Sequence, residues 1–268
     1  MRAAIVLVGG KSKRYGKPKA LEVINGKTFF ERIYDIVDQV ADRVYVSVSK
    51  HTPPSIHAMA RVKGAKIVPD ETYPCGGPPR ALLSVYNNYK HNKYLVVGVD
   101  YPFINRDIIE KLYKYSGKSR LSALTPILFK GYPVIMVGIL SSRSLELLRK
   151  ACYVKQSKTR LSDAYRAAYI SGFYGWRMFT DDPRSFYNIN VPEERDKVPV
   201  SSELFAGYRV HVKNSYYPRM LECLEDNDVK CALEMLEKEK RLYESKGISL
   251  ISKHIKEDIL WLSGEGVF

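Results

Sequence analysis

The chain lacks any uncharged apolar run near the roughly 18 residues that a membrane-spanning helix needs, so nothing in it reads as crossing a bilayer. Cysteine is scarce, with four in 268 residues. Cys75, Cys152, Cys223 and Cys231 are widely scattered, without a C-x-x-C pair or a histidine at zinc-ligand spacing. That scatter weighs against a metal cluster, and a structural disulfide is not expected inside a cell except in heat-loving organisms. Neither G-x-G-x-x-G nor the P-loop pattern G-x-x-x-x-G-K-[ST] is matched, which disfavours dinucleotide redox chemistry and P-loop hydrolysis. A signal peptide is also missing: Arg2 precedes only Ala3 to Val8, too short for a signal core and without a cleavage site, so this run is taken as the first strand of a cytoplasmic protein. Internal repeats and low-complexity tracts are absent, although one helical hairpin like a single tetratricopeptide unit stays open at the C-terminus.

What is present is enough apolar material, 45% of the residues, for one sizeable core and an appendage. The net charge of +14 is unevenly placed. Residues 1–196 hold 32 Lys and Arg against 17 Asp and Glu, whereas residues 197–268 hold 11 against 12. The basic excess reads as a solvated lysine-rich surface or as a field that attracts phosphate-bearing ligands. A nucleic-acid motif with interleaved aromatics is missing, which argues against nucleic acid as the partner.

Apolar strand-like runs at 3–8, 43–48, 65–68, 94–99, 121–128 and 132–139 alternate with helical segments at 28–40, 79–90 and 105–115. This alternation predicts an α/β domain with a mostly parallel sheet covered on both faces. Asn105 suits the N-cap of the third helix, and Lys130-Gly131 is read as the turn of an antiparallel hairpin between 121–128 and 132–139. Composition shifts at Pro192 to Pro199, after which 217–226, 228–245 and 248–262 look helical. The expected division is a domain over 1–196 and a helical extension over 197–268.

Five pieces carry chemistry. Gly9, Gly10, Lys11, Ser12, Lys13, Arg14 and Gly16 directly follow the first strand, where backbone N–H groups can surround a phosphate and the cations neutralise it; a tight turn is the plain alternative. Lys19 can reach the oxygens of a triphosphate, or can simply be solvated. Asp100, in Val99-Asp100-Tyr101-Pro102-Phe103, ends a buried strand where open α/β sheets bind ligands, and a carboxylate there can hold Mg²⁺ beside substrate phosphates. A helix cap is the bland reading. Asp70 ends another run, and Cys75-Gly76-Gly77-Pro78-Pro79-Arg80 opens a helix with flat glycine surface for a purine or sugar and with Arg80 in reach of a phosphate, or makes an ordinary turn. Last, Asn188 and Asn190 point one way from an extended chain, and Asn190 can offer an oxygen to a metal or hydroxyl.

In this order the pieces resemble the molybdenum cofactor guanylyltransferase (MobA)-like branch of the nucleotidyltransferase fold. The opening L-x-G-G-x-S-x-R-M-G-x-x-K-A-L is matched at Leu7, Gly9, Gly10, Ser12, Arg14, Gly16, Lys19, Ala20 and Leu21. Asp70 with Gly77-Pro78 is similar to D…G-P-L, Val99 to Phe103 to C-D-M-P-F, and Asn188 to Glu193 to N-I-N-T-P-E. Tyr15 replaces Met, Pro79-Arg80 replaces Leu and a small residue, and Val191 replaces Thr.

The resemblance implies a Rossmann-like nucleotidyltransferase fold and transfer of a nucleoside monophosphate, GMP from GTP favoured, to a phosphate-bearing acceptor, molybdopterin favoured. It implies nucleotide contacts from Leu7, Gly9, Gly10, Ser12, Lys19, Asp70, Gly77 and Pro78. Arg14, Lys19 and Asp100 take the catalytic roles, and Asp100 and Asn190 the Mg²⁺. Other acceptors on the same fold are a cobinamide phosphate or a sugar phosphate, CTP is the competing nucleotide, and a non-catalytic nucleotide-binding regulator is the reading from another class. The extension could dock on the domain, cover the acceptor cleft, form a homo-oligomer contact or bind a protein partner.

Overall fold

A computed structural model describes residues 1–8, 18–118, 120–128, 131–189 and 207–265. The first strand, β1 (Ala3–Leu7), is buried on both faces, as its unbroken apolar composition demands. Its period of two divides the interior, because Ala3, Ile5 and Leu7 enter one core while Ala4 and Val6 enter the other. After it come β2 (Val23–Ile24) and β3 (Lys27–Thr28), joined by Asn25-Gly26 with both residues at positive φ. Thr28 then caps α1 (Phe29–Asp38) in a reciprocal capping box with Glu31.

The chain continues through β4 (Arg43–Val48), α2 (Pro54–Val62), β5 (Lys66–Pro69), α3 (Gly77–Asn88), β6 (Lys93–Gly98), α4 (Arg106–Lys118), β7 (Ala123–Ile127), β8 (Val137–Ser141), α5 (Ser142–Lys155), α6 (Ser162–Arg166), β9 (Ile170–Gly175) and β10 (Arg209–Lys213). Three helices close it: α7 (Tyr216–Glu225), α8 (Val229–Ser245) and α9 (Ser249–Ser263). Asn105 accepts the Ile108 N–H at 3.1 Å, the N-cap expected for α4. Among the described residues no helix is long and apolar enough to cross a membrane.

Among the described residues eight strands form one α/β sheet in the order β10-β9-β7-β8-β6-β1-β4-β5. Pairing is parallel from β6 through β1 and β4 to β5 and between β7 and β9, while β8 and β10 run against their neighbours. One face packs on α1, α2 and α4, and the other on α3, α5 and the C-terminal helices. The chain steps outward from β1 to β4 and β5, then returns to lay β6 on the other side of β1. Reversal of strand order at β1 opens a crevice beyond the carboxyl ends of the parallel strands.

Two expectations need correction. The predicted second strand at 132–139 is regular only from Val137, where it pairs with β7 at Ala123–Leu140 and Leu124–Ile139; nearer the turn the hairpin is reduced to an antiparallel bridge, Ile127–Pro133, with the Leu128 N–H donating to Tyr132 and the Val134 N–H to Pro126. A turn displaces its start: Val137 N–H donates to Val134, and the Thr125 hydroxyl lies 2.9 Å and 3.1 Å from the carbonyls of Val134 and Val137. The cysteines, expected to be unpaired, form two disulfides, Cys75–Cys152 and Cys223–Cys231. The first joins residues 77 apart in sequence, a pairing made by the packing of α3 on α5 and invisible to local spacing.

The C-terminal segment docks on the rest of the chain. β10 adds the sheet's edge, and Tyr217, Met220, Leu236, Tyr243, Ile251 and Ile255 join the core beneath it. A buried ionic network fastens this contact. Arg166 forks onto Glu239 of α8 at 2.9 and 2.6 Å and reaches Asp163 and, at 2.6 Å, Asp258 of α9. Lys155 bridges Asp163 and Asp258, Arg160 adds a 2.8 Å contact to Asp258, and Arg166 lies over the Tyr217 ring.

Candidate functional site

Four parallel strands end at the crevice, and each delivers residues to it. β6 gives Gly98, Val99 and Asp100. The Val99 N–H bonds the Leu7 carbonyl at 3.2 Å, tying the end of β6 to the end of β1. Gly98 has no side chain for a steric reason: a Cβ there would stand 2.5 Å from Oδ1 of Asp100 and 2.9 Å from Cε of Met136. The missing side chain is the space that the Asp100 carboxylate occupies. Burial pushes that carboxyl above its ordinary range, and the Lys19 ammonium opposes the shift. Lys19 begins a one-turn 3₁₀ segment, Lys19–Leu21, which the Pro18 carbonyl closes through the Leu21 N–H.

Lys19 and Asp100 share a cleft of about 150 Å³ with Leu7, Val8 and Val99. A larger cleft of about 500 Å³ adjoins it, since Leu7, His51 and Met136 line both. Its walls carry Asp70, Gly77, Pro78 and Arg80. Asp70 follows β5, where its N–H bonds the Val48 carbonyl and its carboxylate accepts from Ser47 at 3.3 Å. Burial raises the Asp70 carboxyl, and Ser47 and Arg80 pull it down. Gly77, at φ +59°, turns the chain into α3 in a conformation that side chains resist. Arg80 is anchored on its own loop: Nε donates to the Cys75 carbonyl at 3.0 Å and Nη2 to that of Tyr73 at 3.3 Å.

The fold thus gathers Leu7, Lys19, Asp70, Gly77, Pro78 and Asp100 into two joined clefts, across positions spread from 7 to 100 in the chain. Gly9, Gly10, Ser12, Arg14 and Asn190 lie outside the described residues. The Asn188-Ile189 segment nevertheless reaches the site, because the Ile189 N–H donates to the Asp100 carbonyl at 2.9 Å and Ile189 is buried against Phe29.

Sequence reasoning missed Ser49, Lys50, His51 and Met136, which also line the clefts. Ser49 to His51 follow β4, whose apolar run is legible at 43–48, so the placement of ligands at strand carboxyl ends is a signal for them as well. Met136 follows from the displaced start of β8 and left no local signal.

Among the described residues the donor set for a divalent cation in the smaller cleft is one carboxylate, Asp100, held beside Lys19. Among the described residues no group of three His, Cys, Asp or Glu could hold a metal. A single carboxylate completed by substrate phosphates is the arrangement Mg²⁺ favours, so the residues present fit a substrate-shared ion better than a resident one.

Residues 4–170 match the MobA-like NTP transferase domain. A probable molybdenum cofactor guanylyltransferase from Pyrococcus horikoshii is 30% identical over 200 residues, covering 71% of this chain and 95% of that protein. One from a Geobacillus strain is 27% identical over 198 residues, covering 73% of this chain and 97% of its own length. Among solved structures, the molybdopterin-guanine dinucleotide biosynthesis protein A of Archaeoglobus fulgidus superposes with a TM-score of 0.59 at 20% identity, over 72% of this chain and 94% of that one. At that identity the superposition supports the fold, while the matched domain supports the family. The chain belongs to the MobA-like nucleotidyltransferase family.

Proposed function

We propose that this nucleotidyltransferase transfers GMP from GTP to molybdopterin. A phosphate oxygen of the acceptor attacks the α-phosphorus, the bond from that phosphorus to the bridging oxygen of the β-phosphate breaks, and pyrophosphate leaves. The observation that carries this reading is the pairing of a small cleft holding Asp100 and Lys19 with a larger one walled by Asp70, Gly77 and Pro78. One is proportioned for phosphates and a cation, the other for a base and its sugar. The names of the Pyrococcus and Geobacillus relatives supply the favoured nucleotide and acceptor.

Asp100 would hold Mg²⁺, with Asn190 as its second protein ligand, and the ion would supply charge neutralisation on the phosphate oxygens. Gly9, Gly10 and Ser12 would cradle the triphosphate, while Arg14 and Lys19 stabilise the departing pyrophosphate. Leu7, Asp70, Gly77 and Pro78 would position the base and ribose. An acceptor phosphate is already ionised at neutral pH, so the protein's task is alignment and charge stabilisation and no general base is needed. A cytoplasmic location, where nucleoside triphosphates are plentiful, accords with this chemistry.

The test is pyrophosphate release from purified protein offered GTP, CTP, ATP or UTP with Mg²⁺ and molybdopterin, a cobinamide phosphate or a sugar phosphate. Release with GTP and molybdopterin, abolished by a chelator, is expected. Release with none of the combinations would overturn the reading.

A further inference from the structure

We propose that the Cys75–Cys152 disulfide is a positioning device for the substrate cleft and that it acts through Arg80. This rests on the reading of the larger cleft as the nucleotide's place. Cys152 lies in α5, which packs beside α3 on the same face of the sheet and outside the cleft lining, and both cysteines are completely buried. The bond ties the end of the 70–76 connection, just before α3, to that helix, and the Cys75 N–H lies 3.1 Å from Cys152 Sγ. Cys75 is therefore held at its side chain and at its amide. Its carbonyl is the acceptor for Arg80 Nε, and the next residues but one, Gly77 and Pro78, form the cleft wall beside Arg80.

The chain of contacts runs from α5 through the disulfide, to a backbone carbonyl, to a guanidinium in the cleft. Every link before the guanidinium is buried, and the guanidinium has two loop carbonyls on its Nε and Nη2 edge. A side chain as rotamer-rich as arginine loses affinity for a ligand when it must be ordered at each binding event. The disulfide removes that requirement in advance. The other disulfide, Cys223–Cys231, staples α7 to α8 and lines neither cleft, so it is a built-in control.

The experiment compares wild type, Cys152→Ser, Arg80→Ala, the Arg80→Ala/Cys152→Ser double variant and the control pair Cys223→Ser/Cys231→Ser, all as full-length protein. Cys152→Ser should raise KM for the triphosphate about 3- to 10-fold with kcat at saturation retained. The control pair should leave KM unchanged. In the Arg80→Ala background the same cysteine substitution should add little, because both changes act on one contact. Amide hydrogen exchange without nucleotide should speed up across residues 71–81 in Cys152→Ser, a readout independent of catalysis and of variant stability elsewhere.

Alkylation and mass spectrometry of the protein as isolated should find Cys75 and Cys152 bonded to each other. Free thiols at those positions would overturn the proposal, as would unchanged exchange across 71–81. A KM increase of the same size in the control pair, or one that adds fully to that of Arg80→Ala, would also contradict it. Absence of transfer with every triphosphate would instead strike the proposed function, and the exchange and alkylation results would still decide the tether.

Discussion

The Asp100 carboxylate occupies the space that a side chain on Gly98 would need, its Oδ1 standing 2.5 Å from where a Cβ would lie. The crowded atoms, Asp100 Oδ1 and Met136 Cε, are the ends of movable side chains and can yield without disturbing the sheet. Gly98→Ala should therefore leave stability within about 1 kcal/mol while lowering kcat about 10²-fold or more by displacing the carboxylate. Gly138 offers the contrast, since a Cβ there meets the Leu124 backbone oxygen at 2.4 Å. Gly138→Ala should cost the fold. Thermal unfolding and pyrophosphate release, measured together, separate the two effects; a fully active Gly98→Ala would remove Asp100's placement from the account.

Lys19 is the cation that opposes the upward shift of the Asp100 carboxyl. Its proposed work is on the leaving pyrophosphate, so Lys19→Ala should lower kcat about 10²- to 10³-fold, the scale for deleting one preorganised charge stabiliser. Steady-state kinetics check this, and an unaltered kcat would show that the ammonium does not act on the leaving group.

Arg166 and Glu239 are fully buried partners across the seam between the sheet domain and the C-terminal helices. Removing Glu239 leaves the Nε and Nη2 donors of Arg166 without their acceptor away from water, while Asp163 and Asp258 still face Nη1. Glu239→Ala should destabilise the protein by about 3–5 kcal/mol, read as a lower denaturant midpoint. A shift under about 0.5 kcal/mol would mean that the seam is not held this way.

Stability should also fall in acid through the same network. Burial alone would raise the Asp258 carboxyl, but Lys155 and Arg166 overcome burial and hold it well below the usual carboxylate range. A carboxyl depressed on folding contributes its stability above its unfolded value, about 3.9, and loses it as pH falls below that value toward the folded one. Melting temperature should drop below about pH 4, and Asp258→Asn, already weakened at neutral pH, should show a shallower acid limb. Parallel limbs for the two proteins would contradict this assignment.

The strand ends were the legible part of this molecule. Runs such as Ala3 to Val8 and Tyr94 to Val99 show plainly as buried strands, and Asp100 directly follows one run while Asp70 lies two residues beyond another, at 65–68. What escaped was set by contacts between distant segments. β9 contains Gly172 and Gly175 and so lacks clean alternation, and β10 is a short edge strand recognisable only from its partner. Cys75 and Cys152 meet only once α3 has packed on α5, and the Arg166 network needs four helices in place. His51 is a different case: the apolar run before it is legible as a strand, but the loop beyond that strand carries no glycine or carboxylate.

The most direct test of the account is pyrophosphate release from GTP and molybdopterin in the presence of Mg²⁺ by wild type and by Asp100→Ala, with folding of both verified by thermal unfolding. The account predicts release by wild type and a loss of at least about 10³-fold in the variant, with an unchanged melting profile. Equal release by the two proteins, or none by a folded wild type with any triphosphate and acceptor, would contradict it.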